Sequence, residues 1–299
     1  LSARVDGVEL VSVDSMAVYR GLDIGTETPP RSTASWHLLN IADPAEDFSV
    51  AQFQDAARAV LAQIHSRGHR AILVGGTGLY HRAAVDGLEL PGRYPEVARE
   101  LEIEASSPEG LASLYESLAA LDPLAASRIE PGNRRRIVRA LEVTVGAGRR
   151  FSSFGPGLRH YPVTGPRQAG LSLERPEIDR RLAERLDAEL AAGWLEEVAR
   201  LASRPGGLSR TARQAIGYRE LLAHLEDGLP LQAAKTEILR RLKAFARRQE
   251  AWFRRDPRVK WFQAGSERLA DEVIEWWGLT ADPPKPGASA PTTWETQSS

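Results

Sequence analysis

The sequence predicts an α/β fold built around a buried parallel sheet, and three observations predict it. Two short apolar runs, Val8 to Val13 (VELVSV) and Ala71 to Val74 (AILV), read as strands covered on both faces. One helix-length amphipathic segment lies between them, which makes a strand–helix–strand order. Each run also ends in residues suited to a ligand site, Asp14-Ser15 after the first and Gly75-Gly76-Thr77-Gly78 after the second. Parallel sheets bind ligands beyond the carboxyl ends of their strands.

The elements follow in chain order. Ser49 to Gly68 is predicted as the connecting helix. Ser49 and Gln52 form a capping box at its start, and Val50, Phe53, Ala57, Val60, Leu61 and Ile64 share one face. Gly68 is a natural stop. Another helix is expected from about Leu79. From about Pro95 to Gly148 the pattern turns helical and charged, with turn signals at Ser106-Ser107-Pro108, Asp122-Pro123 and Pro131-Gly132-Asn133. Phe151 to Gly170 is rich in Gly, Pro and Ser and reads as a loop. Arg175 to Leu201 is expected as one long helix and Lys235 to Arg254 as another, with Ile238, Leu242, Phe245, Gln249, Trp252 and Phe253 on one side. The organisation expected is a core over 1–94, an inserted helical subdomain over 95–165, the rest of the core with C-terminal helices over 166–279, and a disordered tail over 280–299.

Composition narrows the class. The 299 residues are 42% hydrophobic and 26% charged, ordinary for a globular chain. No apolar run approaches the roughly 18 residues of a membrane span, and no signal peptide opens the chain. There is no cysteine, so disulfides and thiolate metal sites are excluded, and a cytoplasmic location is expected. Net charge is −1, but the cations are 35 Arg against 4 Lys. Codon usage accounts for such a bias; so does phosphate recognition by a bidentate guanidinium. Seven Arg fall in 128–150 and eight basic residues in 240–258. Such stripes either follow a nucleic-acid backbone or form solvated helix faces.

The candidate site residues carry more than one reading. The Gly75–Gly78 turn either cradles a phosphate with backbone amides and a hydroxyl or is a plain strand-to-helix turn. Asp14 is either a general base or a turn aspartate. The chain holds no G-x-x-x-x-G-K-[ST], no H-E-x-x-H and no G-x-S-x-G elbow. Its six histidines are scattered, and His37 reads as structural.

Taken together the motifs are more specific. Asp14-Ser15-Met16-Ala17-Val18-Tyr19-Arg20-Gly21-Leu22-Asp23-Ile24-Gly25-Thr26, His37 to Ile41 (HLLNI), Val74 to Tyr80 (VGGTGLY), Arg136 to Val143 (RIVRALEV), Gln214 to Arg219 (QAIGYR) and Arg248 to Arg254 (RQEAWFR) come in one order. That set resembles the tRNA dimethylallyltransferase family over nearly the whole chain, from Val8 to about Trp261.

The resemblance implies a P-loop-NTPase-like parallel sheet with an inserted helical domain, and a nucleotide-binding (ATP-binding) class. It implies transfer of a dimethylallyl group from dimethylallyl diphosphate to N6 of the adenosine immediately 3′ of a tRNA anticodon. The base would leave the loop stack to enter the site. It implies Asp14 as base and Thr77 as donor to the diphosphate, with Mg2+ neutralising that group. Arg181 and Arg185 would reach the diphosphate. Asp14, Ser15, Met16, Ala17, Arg135, Arg136, Arg139, Gln214, Gly217, Tyr218 and Arg219 would meet the anticodon stem-loop. A monomer is expected.

Four departures from the family pattern stand out. The block usually written Q-R-x-x-R has Arg135 at its Gln position. An arginine expected just after Pro-Glu-Val falls at Ala98 or, one residue on, at Arg99. Ala251 replaces a usual Thr. The family places a strand, G-x-x-x-x-G-K-[ST] and a helix before the motif that begins here at Val8. Leu1 to Gly7 resemble only the end of that helix, so no metal-binding hydroxyl is expected in this chain. Little or no turnover and reduced stability are expected of a chain that starts at Leu1. The rival readings are an adenylate dimethylallyltransferase acting on free nucleotide, a noncatalytic RNA-binding remnant, and a small-molecule kinase of the P-loop class.

Overall fold

The computed structural model describes residues 4–30 and 34–279. It divides into two compact units, Leu1–Gly87 with Val163–Ser299, and Leu88–Pro162.

In the first unit, strand β1 (Val8–Ser12) lies between a two-residue strand β2 (Trp36–His37) and a later strand, and pairs with β2 in parallel. Helix α1 (Val50–Ser66) begins at the expected capping box. The Ser49 hydroxyl accepts the Gln52 amide at 3.3 Å, and the Gln52 side chain accepts the Ser49 amide at 2.9 Å. Its inward face holds Phe53, Ala57 and Ile64, all fully buried. Burying a phenylalanine ring in this way contributes about 1.5–3 kcal/mol. The chain turns at Gly68, whose φ of 74° is left-handed, and enters β3 (Arg70–Val74). β3 pairs in parallel with the whole of β1, from Val8 opposite Arg70 to Ser12 opposite Val74. Helix α2 (Gly78–Asp86) follows directly.

Four helices make the second unit: α3 (Pro95–Glu104), α4 (Pro108–Leu121), α5 (Pro123–Ala126) and α6 (Arg134–Gly146). Proline opens three of them, where its missing N–H costs nothing. Leu114, Leu118, Ile137 and Leu141 form the core. Buried Asp122 caps α5 through the Ala125 amide at 3.0 Å and accepts the Ser152 amide at 2.7 Å, tying down the chain after α6. Residues ahead of α3 belong here too, because Arg139 donates to the Pro91 carbonyl at 2.9 Å and Glu142 accepts the Tyr94 amide at 2.8 Å.

The chain then returns to the first unit. β4 (Gln168–Ser172) opens it, beginning in the last three residues of the segment expected to be a loop. The single helix expected over 175–201 is two, α7 (Arg175–Ala191) and α8 (Trp194–Ala202). Gly193 breaks it with φ 96°, and Trp194 swings into the core, 1% exposed. Next come α9 (Tyr218–Asp227), α10 (Leu231–Phe253), β5 (Val259–Gln263) and α11 (Leu269–Trp277). β5 pairs in parallel with β4. Thus, among the described residues, every strand pair is parallel, in a three-stranded and a two-stranded sheet. The tail expected to be disordered, 280–299, lies outside the described residues. No described helix is long and apolar enough to cross a membrane.

Two polar clusters brace this unit. On β1, buried Glu9 accepts from Arg67 at 2.8 Å, His37 at 2.6 Å and His69 at 2.8 Å. Burial raises the carboxyl pKa, but Arg67, His37 and His69 outweigh it and hold it at about 2. His37 therefore links β2 to β1. Elsewhere Asp86, on α2, is paired with Arg82 and with Arg258 at 2.7 Å, and Arg258 reaches Asp256 at 2.7 Å. All four side chains are at most 12% exposed.

Candidate active site at the strand ends

Asp14 and Thr77 follow the carboxyl ends of two adjacent strands. The Val13 amide donates to the Val74 carbonyl at 2.9 Å, so the pairing of β1 with β3 continues into both turns. One oxygen of Asp14 accepts the amides of Met16 at 2.7 Å and Ala17 at 3.0 Å, an Asx turn. Its other oxygen has no hydrogen-bond partner among the described residues. The turn reading and the base reading of Asp14 therefore coexist, one on each oxygen. The Thr77 hydroxyl accepts the Ser15 amide at 3.1 Å and lies 3.3 Å from the Ser15 hydroxyl. Thr77 occupies the N-cap position of α2, but its side chain bonds across to Ser15 instead of capping. Behind them Tyr80 is buried. Burial, with Tyr19 and the Asp14 carboxylate adding to it, pushes its phenol up, so it is neutral beside the site.

Close approach explains the glycines of the turn. A Cβ on Gly75 would lie 2.8 Å from the Val13 backbone. One on Gly76 would lie 1.5 Å from Gln249 Nε2, and one on Gly78 would lie 2.3 Å from Trp252 Nε1. Helix α10 thus lays Gln249 and Trp252 directly on the turn. One turn into α2, the His81 ring meets Phe253 edge-on at 5.3 Å, and burial lowers its pKa, which leaves a neutral imidazole.

A second constellation joins the segment after Asp14 to the chain at 217–218. Glu197 is 2% exposed. It accepts the amides of Asp23 at 3.1 Å and Ile24 at 3.0 Å and the Tyr218 hydroxyl at 2.5 Å. Burial, and then the Glu197 carboxylate, push the Tyr218 phenol up. The Trp194 ring fills the space where Gly25 and Gly217 would carry a Cβ, at 2.3 and 2.0 Å.

The residues expected at the site are thus distributed unevenly. Asp14, Ser15 and Thr77 come together, with Met16 half-buried and Ala17 buried beside them. Gln214 and Arg219 are exposed, whereas Gly217 and Tyr218 between them are buried. Arg181 is paired with Glu177 at 2.6 Å, and Arg185 with Glu27 at 2.6 Å and Glu189 at 2.7 Å, so both guanidinium groups are engaged by carboxylates. In the other unit, Arg135 and Arg136 are exposed at the start of α6, with no acid paired to either among the described residues. Arg139 holds the Pro91 carbonyl and lies 2.8 Å from Glu142. Arg99 is exposed and pairs with Glu96 at 2.8 Å. Sequence reasoning missed Glu197, because Glu196-Glu197 looks like a solvated helix face. The readable signal was Gly193, which breaks the helix and turns Trp194 and Glu197, three positions apart, inward.

Comparison with known proteins agrees with these blocks. A family model described as IPP transferase matches residues 17–256. A tRNA dimethylallyltransferase from Nocardioides sp. is 42% identical over 287 residues, covering 94% of this chain and 91% of that relative. Another from Streptomyces coelicolor is 45% identical over 284 residues, covering 92% and 90%. The crystal structure of a full-length tRNA isopentenylpyrophosphate transferase from Bacillus halodurans superposes with a TM-score of 0.63 at 34% identity, over 93% of this chain and 88% of that one.

Proposed function

Because the chain belongs to the IPP transferase family, we propose that it transfers a dimethylallyl group from dimethylallyl diphosphate to N6 of the adenosine immediately 3′ of a tRNA anticodon. The observation that carries this reading is that Asp14 and Thr77 follow adjacent strand ends whose turns are joined through Ser15, with Gln249 and Trp252 packed on the glycines flanking Thr77.

The chemistry follows from those groups. The adenine amine attacks the allylic carbon, a C–N bond forms, the C–O bond to the diphosphate breaks, and the N6 proton goes to the unbonded oxygen of Asp14. General-base help of this kind is worth on the order of 10²–10⁴ in rate. The first oxygen stays in its Asx turn and keeps the carboxylate aimed. Thr77, poised by the Ser15 amide on its oxygen, turns its hydrogen toward the leaving diphosphate as charge develops there. Gly75 and Gly76 let the Val13 backbone and the Gln249 side chain pack directly on the turn that carries Thr77. Arg135, Arg136, Gln214 and Arg219, all exposed, contact the RNA; Gly217 and Tyr218 act by packing beneath them. Arg181 and Arg185 reach a diphosphate only by leaving their carboxylates.

Magnesium enters this reading as a companion of the diphosphate, whose charge it neutralises when bound. Among the described residues no group of three or more His, Asp or Glu side chains is placed to hold a metal.

Radiolabelled dimethylallyl diphosphate with a synthetic anticodon stem-loop, in long incubations with excess protein, tests the reading. Label is expected at N6 of the adenosine 3′ of the anticodon. Label on AMP in preference to the stem-loop would overturn it in favour of a free-nucleotide acceptor. Failure to bind the stem-loop would overturn it outright.

A further inference from the structure

Glu197 takes part in no step above, yet it is among the most committed side chains in the first unit. A carboxylate removed from water is tolerated only when hydrogen bonds replace its hydration. All three of its donors, the Asp23 and Ile24 amides and the Tyr218 hydroxyl, come from two segments remote from α8 in sequence. The same two segments are the ones Trp194 wedges apart, through Gly25 on one side and Gly217 on the other. The far side of the first segment is also held. Asn40 donates to Asp23 at 2.9 Å, and Arg185 bridges Glu27 and Glu189.

Those attachments matter because residues 13–30 contain no helix or strand that would set their path. The Asp14–Ala17 turn is held at Ser15 by Thr77 and at Ala17 by the Asn40 amide, and the Glu197 contacts fix the chain that runs on from it toward Tyr218. Beyond Tyr218 the second segment carries Arg219, and before Gly217 it carries Gln214, both exposed.

We propose that Glu197 is a positioning residue for RNA recognition: by clamping residues 22–26 to Gly217 and Tyr218, it sets the spacing between the Asp14–Ala17 turn and the Gln214 and Arg219 side chains. The inference rests on reading those residues as the RNA path. The competing account is a buried acid that stabilises the fold and nothing more.

Two substitutions separate these accounts. In Glu197→Gln, the amide oxygen still accepts the Asp23 and Ile24 amides, but nothing accepts the phenol. In Glu197→Ala both functions are lost. Ile64→Val, a change in the same core away from the clamp, serves as the stability control. The Ala variant is expected to weaken stem-loop binding about tenfold, the scale of losing hydrogen bonds to a charged group. Its KM for dimethylallyl diphosphate should stay within about twofold, since that substrate is held elsewhere. The Gln variant should recover most of the loss. Ile64→Val should lower Tm and leave stem-loop binding alone. Hydrogen exchange gives a local reading: in the Ala variant the Asp23 and Ile24 amides should lose protection while the Val11 amide keeps it. If the Ala variant does not fold, Glu197→Asp, whose carboxylate is one methylene too short to reach both segments, takes its place against Ile64→Val and should likewise weaken stem-loop binding. Unchanged stem-loop affinity in the folded Ala variant (or in Glu197→Asp where that replaces it), or Asp23 and Ile24 amides that stay protected in the Ala variant, would overturn the inference. Absence of stem-loop binding by the unaltered protein would instead overturn the functional reading, and the exchange data would still report on the clamp.

Discussion

Thr77 accepts the amide of Ser15 at 3.1 Å, so the turn that follows β3 holds up the turn that follows β1. The hydroxyl is therefore used twice, accepting the Ser15 amide and donating its hydrogen, to the Ser15 hydroxyl at 3.3 Å in the resting fold and to the diphosphate in the proposed reaction. Thr77→Ser keeps both uses and should retain most of the transfer rate. Thr77→Ala removes both and should lower the single-turnover rate about 10²-fold, comparable to losing one preorganised donor. Equal rates for the Ala and Ser variants would remove Thr77 from the reaction.

Asp14→Asn separates turn from base. The Asn carbonyl can still accept the Met16 and Ala17 amides, so the turn should survive and stem-loop affinity should change little. The proton acceptor is gone, and the rate should fall on the order of 10²–10⁴. Fluorescence anisotropy of a labelled stem-loop, beside single-turnover labelling, gives both numbers. Lost affinity with a normal rate would assign Asp14 to RNA binding alone.

The glycines of the turn should rank by what their absent Cβ would strike. At Gly75 the obstacle is the Val13 backbone, which cannot step aside, whereas at Gly76 it is the end of the Gln249 side chain. Gly75→Ala should lower Tm more than Gly76→Ala, within the roughly 1–3 kcal/mol typical of overpacking. Adding Gln249→Ala should relieve Gly76→Ala and leave Gly75→Ala as it is. Thermal denaturation of the four variants checks the order.

Glu9 predicts a pH dependence with a definite sign. Its carboxyl lies near 4.5 when unfolded and at about 2 in the fold. A depressed carboxyl contributes stability that is complete above its unfolded pKa and is lost as pH falls through the folded one. The Tm difference between the unaltered protein and Glu9→Gln should hold steady just above pH 4.5 and shrink between there and about pH 2. A difference that grows on acidification would refute the assignment.

The sequence foretold these features unevenly, for physical reasons. β1, α1 and β3 were readable because each repeats one signal over several residues: an apolar run, a capping box, a glycine stop. β2 and β4 were not. Two residues at Trp36–His37 carry no periodicity, and Gln168–Ser172 contains a glycine and two polar residues. The break between α7 and α8 was missed because Leu182, Leu186 and Leu190 keep a four-residue spacing up to it; the step to Leu195 is five, and Gly193 lies inside that step. At the site, short-range signals located Asp14 and Thr77. The engagement of Arg185 by Glu27, and the burial of Tyr218 on Glu197, depend on pairings across more than twenty residues that no local pattern encodes.

The linked carboxylates and guanidinium groups of Arg82, Asp86, Asp256 and Arg258 bear on how this protein can be assayed. Dissolved ions screen exposed charges but reach buried pairs poorly. The joint between α2 and the chain entering β5 should therefore keep its strength from dilute buffer to concentrated salt. Arg135 and Arg136 stand in open solvent, where counterions compete with any phosphate they meet. A salt titration of stem-loop affinity would then report the electrostatics of the outer surface alone, with the scaffold beneath the reacting atoms acting as a constant.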